Sequence, residues 1–368
     1  MVGRARTSAR NPPLPSGDTR EGFALHLEWE RKLFDARYAV VSWPSAFGGR
    51  DASLWEWIIF EEEYWLAGAP QRVTQNGIFL LAPTIFEFGT PEQQQRILPK
   101  MASGEESWCQ GWSEPNAGSD LAGLSSRAVR DDAAGGWRLN GQKTWTTRGA
   151  FCTHLFGLFR TDPDAARHSG MTYLLVDLRQ PGITVRPVER LDGDEGFAEV
   201  FFDDAFVPDD MVLGGVNAGW SVAMATTGSE RGLTLRSPGR FLATAGKLVD
   251  LARAHGNDLD PGLRSRIAAA WTDAQAYRWQ TFQTVTALAA GGHTGPESSM
   301  VKIFWSELDV RLHELALEIL GVHGERTDGE LAHWMKGYEF ALSGPIYAGT
   351  NEIQRNVVAE RVLGLPRK

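Results

Sequence analysis

The spacing of apolar positions changes period twice along the 368-residue chain. From Arg20 to about Gly104, Trp29, Leu33 and Ala36 recur at helical spacing, as do Leu54, Ile58 and the Glu61 to Tyr64 turn. Thr90-Pro91-Glu92-Gln93 supplies a capping hydroxyl, a proline at the first helical position and a glutamine at the third, so a helix is predicted to start there. Trp43-Pro44-Ser45 and Phe47-Gly48-Gly49 predict an intervening loop. In the middle, Ile183, Val185 and Val188, then Val200 and Phe202, fall near the alternation of strands. Asn140-Gly141, between Trp137-Leu139 and Lys143-Thr147, reads as a hairpin turn. Short strands from Trp108 to about Leu213 predict a small antiparallel sheet or barrel. After Gly219 the spacing is helical again, broken at Ser237-Pro238, Asp260-Pro261 and Gly291-Gly292.

The expected architecture is therefore α+β and multidomain. An N-terminal arm (1–19) precedes a helical domain (20–107), an antiparallel β-barrel-like domain (108–218) and a C-terminal helical bundle (219–368). The arm, rich in Pro, Ser and Arg, is expected to be mobile.

Composition narrows the function classes. A content of 42% hydrophobic and 23% charged residues belongs to a globular protein. With 46 acidic against 37 basic residues, the net charge of -9 gives no support to a nucleic-acid surface. No apolar run approaches the ~18 residues needed to span a bilayer, and Met1 to Arg20 lacks the apolar centre of a secretory signal, so a cytoplasmic location is expected. The two cysteines, Cys109 and Cys152, read as buried reduced thiols, and the histidines and cysteines show no metal-ligand spacing.

Two segments carry chemistry. Cys109 to Asp120 reads Cys-Gln-Gly-Trp-Ser-Glu-Pro-Asn-Ala-Gly-Ser-Asp, with Ser113, Gly118 and Ser119 placed so that main-chain N–H groups can approach a polar or anionic ligand. Asn140 to Trp145 reads Asn-Gly-Gln-Lys-Thr-Trp and sets a large flat ring beside the hydroxyls of Thr144, Thr146 and Thr147. A planar heteroaromatic cofactor with a phosphate tail would use both. Each segment alone is also compatible with an ordinary turn or hairpin.

Together the segments resemble the flavin-binding signatures of the acyl-CoA dehydrogenase family. Phe88 to Gln93 ahead of Leu98-Pro99, Phe201 to Asp204 through Val207-Pro208, and Tyr347 to Arg355 resemble that family as well. The resemblance implies FAD as cofactor, an acyl-CoA substrate, electron transfer to an electron-transfer flavoprotein, and a homo- or hetero-oligomer, dimer or tetramer. It implies α,β-desaturation: a carboxylate removes the α-proton while the β-hydrogen leaves as hydride. Such a base needs a dry site that raises its pKa, and donors aimed at the thioester oxygen.

Many relatives carry the carboxylate immediately before Gly-Thr in the C-terminal signature, where this chain has Ala348. Other members place it on another helix within a Glu-Arg pair, and the chain has Glu230-Arg231. The expectation is Glu230 as general base, Arg231 positioning helix and ligand, and the main-chain N–H of Ala348, beside Gly349, polarising the thioester. By the same resemblance, Trp112 and Ser113 meet the pyrimidine edge of the flavin, and Trp145, Thr146 and Thr147 flank its ring. Ser119 lies near the pyrophosphate and the CoA chain.

The adenine half departs from the family pattern. Arg253 is not followed by Phe, and Glu318-Ile319-Leu320-Gly321-Val322 replaces a Gln and the second Gly of a Gly-Gly pair, although Gly321, Thr350 and Glu352 remain. A carboxylate at Glu318 would repel a phosphate unless protonated or turned away. Two rival readings stay open: a half-competent or structural subunit of a hetero-oligomer, and a flavin oxidase or oxygenase on the same fold.

Overall fold

The computed structural model describes residues 14–255 and 259–366, and for 229–234 only the backbone of their helix. The N-terminal region holds α1 (Arg20–Asp35), α2 (Leu54–Leu66), a π-helix (Gly77–Leu81) running directly into α3 (Ala82–Phe88), and α4 (Pro91–Ala102). Side chains fix the helix starts. Thr19 accepts from the Gly22 N–H, and capping boxes form at Ser53/Glu56 and Thr90/Gln93. Each is worth about 1 kcal/mol. The Gln93 amide also donates to the carbonyls of Asp210 and Val212 at 2.8 and 2.9 Å, tying α4 to the end of the sheet.

Residues 1–13 of the expected arm lie outside the described residues, but 14–19 do not behave as an arm. Asp18 is buried, with one carboxylate oxygen 2.6 Å from Arg148 Nε and the other 2.7 Å from Arg190 Nη1.

The middle region contains β1 (Trp108–Gly111), β2 (Arg127–Asp131), β3 (Gly136–Lys143), β4 (His154–Arg160), β5 (Met171–Asp177), β6 (Ile183–Val188), β7 (Phe197–Pro208) and β8 (Val212–Leu213). They form one sheet in the order β6-β7-β3-β2-β4-β5-β8, with β1 on β4. The pairing is mostly antiparallel as expected, yet β1 and β2 both run parallel to β4. The expected central sheet domain is thus present, and among the described residues its hydrogen-bonded path runs from β6 to β8.

β4 and β5 are apolar on both faces and buried on both. Phe156, Leu158, Tyr173 and Leu175 join the core shared with the N-terminal helices, while Leu155, Phe159, Leu174 and Val176 fill a second core against β7. Cys109 lies in that second core with Cys152 packed against it; both are free thiols, Cys109 buried and Cys152 half-buried.

The hairpin expected at Asn140-Gly141 is not there, because both residues lie inside β3. The irregularity that the Asn-Gly pair serves is in the neighbouring strand. Leu139 pairs with Ala205 but Gly141 pairs with Phe202, so β7 carries an extra residue at Asp203-Asp204. Asp204 takes a left-handed φ of 54°, and its N–H donates to the Asn140 side chain at 3.1 Å. The buried positions of β7 are Ala198, Val200 and Phe202 before the bulge, and Ala205 and Val207 after it.

The C-terminal region comprises α5 (Gly219–Arg236), α6 (Pro238–Ala254), α7 (Pro261–Ala289), α8 (Ser298–Leu320), α9 (Ala332–Ala341) and α10 (Asn351–Val357). Asp260 caps α7, accepting from the Leu263 N–H at 3.0 Å, and Gly291 follows its end with φ 83°. Phe241, Ile267, Tyr277, Leu308 and Leu312 form the bundle core. α5 stands apart from that core. Its Val222 and Ala223 are fully buried among the N-terminal helices and β5.

Candidate active site

The two signature segments are stitched together. After β1 the chain turns at Glu114-Pro115-Asn116-Ala117, closed by reciprocal backbone bonds of 2.9 and 3.0 Å between Glu114 and Ala117. The Ser113 carbonyl then accepts from the Thr144 N–H, just beyond β3, at 2.9 Å. Lys143, fully buried, donates to Glu114 at 2.7 Å and to the Trp112 carbonyl at 3.3 Å. Glu114 in turn accepts from the Ser125 N–H and hydroxyl and from the Ser126 N–H at 2.6, 2.9 and 2.9 Å. Burial would raise the Glu114 carboxyl, but Lys143 and the serine donors hold it at about 2. Burial pushes the Lys143 ammonium down to about 8 against the pull of Glu114.

Beyond Lys143 the backbone is unusual. Trp145 and Arg148 both have φ 56°, a left-handed conformation that costs a residue with a Cβ roughly 1–2 kcal/mol. Main-chain bonds hold it: Thr146 N–H to the Ala198 carbonyl at 3.0 Å, and Arg148 N–H to the Gly196 carbonyl at 2.9 Å. Asp18 grips the Arg148 side chain from the other side. Burial would raise Asp18, but Arg148 and Arg190 more than offset it and hold its carboxyl below the ordinary range.

The consequence is that Trp145 is kept 61% exposed, its ring in edge contact with Phe197 at 5.8 Å. The Thr146 side chain is fully buried, so of the residues expected to flank a ring, Trp145 and the half-buried Thr147 remain on the accessible side.

The C-terminal signature supplies a second special backbone. Ala348 and Gly349 have successive φ values of 54° and 78°, and the Ala348 N–H has no hydrogen-bond partner among the described residues. The loop is anchored on both sides. Gln354 donates to the Ala348 carbonyl at 2.9 Å, Thr350 caps α10, and buried Asn351 accepts from Lys302 at 2.9 Å and Ser306 at 3.1 Å.

Glu230 and Arg231 lie on α5, and their side chains fall outside the described residues. One turn earlier, Thr226 is fully buried and shares hydrogen bonds with Thr84 of α3 at 2.9 Å and Tyr173 of β5 at 3.3 Å. Tyr173 meets the Trp112 ring edge-on at 6.3 Å, so the first signature segment is linked to α5 through one buried aromatic.

Other expected residues stay apart. Arg253 is exposed and 3.6 Å from Asp250, Gly321 caps the end of α8, and Glu352 is exposed in the first turn of α10. None of the hydrogen bonds, ion pairs or ring contacts of the described residues joins these to Trp112 or Trp145. Glu318 is ion-paired to Arg266.

These residues fit a flat cofactor with a phosphate tail. Trp145 is an exposed ring on a strained, clamped backbone. A Cβ on Gly118 would meet nothing in the chain, so packing of the chain itself does not require the glycine between Ala117 and Ser119. Models of the acyl-CoA dehydrogenase N-terminal, middle and C-terminal domains match residues 9–105, 109–205 and 217–363. The chain belongs to the acyl-CoA dehydrogenase family.

As in that family, it is an FAD-dependent oxidoreductase acting on acyl-CoA. It is 42% identical over 362 residues to the acyl-CoA dehydrogenase IpdE1 of Mycolicibacterium smegmatis, covering 96% of this chain and 91% of that one. The Tcur3481-Tcur3483 steroid ACAD has a similar structure, with a TM-score of 0.85 and 26% identity over 93% of this chain and 89% of the other. The ChsE4-ChsE5 complex of Mycobacterium tuberculosis gives 0.81 and 27%, over 94% and 91%. Among the described residues, no helix is long and apolar enough to cross a membrane.

Sequence reading gave Glu114 and Lys143 no role, although both lie in the quoted motifs. It also missed Asp18, Tyr173 and Thr226. The pairing of Glu114 with Lys143 could have been sought from opposite charges in the two segments; the others leave no local signal.

Proposed function

We propose that the chain desaturates a bulky acyl-CoA thioester between its α- and β-carbons, with Glu230 as the base. The observation that carries this is the loop at Ala348. It keeps a left-handed backbone and an N–H without a partner among the described residues but offers a methyl group instead of a carboxylate, while Glu230 is the only acid in the sequence of α5. The Ala348 N–H is then the donor that polarises the thioester carbonyl, and Glu230 takes the α-proton. A dry site raises the basicity of such a carboxylate, and Thr226, one turn earlier on α5, is fully buried against α3 and β5. Bound FAD supplies the two-electron acceptor for the β-hydrogen. Trp112, Ser113, Trp145 and Thr147 hold the ring, Ser119 lies by the pyrophosphate, and an electron-transfer flavoprotein takes the electrons onward.

The test is Glu230→Gln, which keeps the shape and removes the base. Anaerobic bleaching of the flavin by a panel of acyl-CoAs should slow by at least ~100-fold. Near-normal bleaching would remove Glu230 from the mechanism. Rescue of part of the activity by Ala348→Glu in a Glu230→Gly background would place both sites at one α-carbon.

A second reading concerns assembly. Arg253 is engaged by Asp250, Glu318 by Arg266, and Val322 is 79% exposed. These features favour a hetero-oligomer in which a different chain completes the adenine half of the cofactor site, and two of the similar structures are named for paired chains. A purified single chain that is colourless, and turns yellow with FAD only when a partner is co-expressed, is the expected outcome. Stable FAD retention by the chain alone would refute it.

A further inference from the structure

Six residues beyond Glu230, at the far end of α5, Arg236 enters an enclosed charged cluster with Arg72 and Glu61. The three side chains are 8%, 2% and 0% exposed. Glu61 accepts from the Trp57 indole at 3.1 Å and lies 2.9 Å from Arg72 Nη1, but its approach to Arg236 Nη1 is a looser 3.5 Å. Arg236 Nη2 donates to the Gln75 amide oxygen at 2.7 Å.

The neighbouring carboxylate, Glu30, is occupied elsewhere. It accepts from the N–H groups of Val73 and Thr74 and from the Thr74 hydroxyl. Among the described residues, Glu61 is thus the one carboxylate paired directly with the two guanidiniums, while Glu30 acts on Arg72 only through its charge. Among the described residues, Arg72 Nε and Nη2 and Arg236 Nε are buried donors with no acceptor, and Glu61 Oε2 accepts no hydrogen bond.

Aromatic faces line the cluster, with Arg236 and Arg72 standing 4.3 and 5.5 Å from the centre of the Phe79 ring and Arg72 4.6 Å from that of Tyr64. Cation–π contact offsets part of the burial cost but gives the unmatched N–H groups no acceptor. A cluster serving only to join α2 to α5 would be expected to match its N–H donors with acceptors, since a buried donor left without one is destabilising. Phe79 itself sits in the π-helix, a backbone form concentrated at functional sites.

We propose that the Arg72–Arg236 pair ends the acyl pocket and receives a hydrogen-bond-accepting oxygen at the far end of the substrate's acyl group. A carboxylate, which takes charge-assisted hydrogen bonds from a guanidinium, is favoured over a ketone. Six residues of helix place Arg236 about 9 Å along α5 from Glu230, so the group lies well beyond the reacting carbons. The inference rests on α5 being the catalytic helix, and it narrows the substrate class to acyl-CoAs with an oxygen-bearing tail.

The experiment is calorimetric binding of unreactive CoA thioethers to the FAD-loaded protein: hexyl and octyl chains, their ω-carboxylates and their methyl ketones. At one of the two lengths, an oxygen-bearing ligand should bind about 10- to 100-fold more tightly than its alkyl counterpart. A tighter carboxylate identifies an acidic tail, and a tighter ketone a neutral one. In the charge-balanced double variant Glu61→Gln/Arg236→Gln, that ratio should fall below about 3-fold.

Equal binding of oxygenated and alkyl ligands at both lengths overturns the proposal, as does a ratio that survives the double variant. If the double variant fails to fold, the wild-type ratios decide. Flavin bleaching by the matching thioesters separates this inference from the assignment of Glu230. Bleaching without preference sinks the guanidinium site alone, and preference without bleaching sinks the base alone.

Discussion

The ion pair between Glu114 and Lys143 allows an asymmetric prediction. Glu114→Gln leaves an ammonium in a fully buried position, with the Trp112 carbonyl at 3.3 Å and the Phe159 ring at 5.0 Å as its remaining partners. Removing one partner of a buried pair in this way costs about 3–5 kcal/mol. Lys143→Met instead leaves a carboxylate that still accepts from the Ser125 N–H and hydroxyl and the Ser126 N–H. It also removes the burial penalty of the ammonium, so its net cost should be about 1–2 kcal/mol. The pair lies directly behind the Ser113–Thr144 junction, so cofactor retention should weaken in the same order. Urea unfolding at neutral pH, followed by tryptophan emission and by the rise of released flavin fluorescence, reads both effects as midpoints. Equal losses, or a larger loss for Lys143→Met, would refute this account of the pair.

Acid should act on the same contact. The folded Glu114 carboxyl sits near 2 against an ordinary 4.5, so its stabilisation is complete above about 4.5 and disappears as pH falls toward 2. Flavin release during acid titration should track that window and flatten in Glu114→Gln. Asp18→Asn removes the carboxylate shared by Arg148 and Arg190 and should raise the FAD dissociation constant several-fold, with a matching change in Trp145 emission; unchanged values would show that Asp18 does not steady the Trp145 loop. At the bulge, Asp204→Val puts a β-branched residue at φ 54° and should lower stability by about 1–2 kcal/mol, whereas Asp204→Gly should be close to neutral in thermal melts.

Local chemistry carried much of the fold in the sequence. The Thr90/Gln93 box, the break at Asp260-Pro261 and the alternation of Ile183 and Val185 each depend on neighbours a few residues away, and each appears as predicted. Asn140-Gly141 misled because the pair has the right residues for a tight turn, but its side chain serves an irregularity 64 positions later. The same limit hid the interior charges. Asp18 finds its partners 130 and 172 residues away, and Arg236 meets Glu61 and Gln75 from a different region, so no window along the chain brings them together. The two aromatic and hydroxyl segments were recognisable because whole motifs recur. The buried salt contact joining them became visible only once the strands were paired.

The extra residue at Asp203-Asp204 acts on the sheet as a frameshift acts on a reading frame. Upstream of it the inward-facing side chains fall on even numbers, and downstream on odd ones. Losing one of the two acids would remove the bulge and restore plain alternation: Phe202 and Ala205 would stand two residues apart, both facing inward, with Leu139 still opposite Ala205. A homologue with a single residue at this point can therefore keep the same inward set, so an alignment gap here marks the loss of the bulge and its local twist and not a change of core.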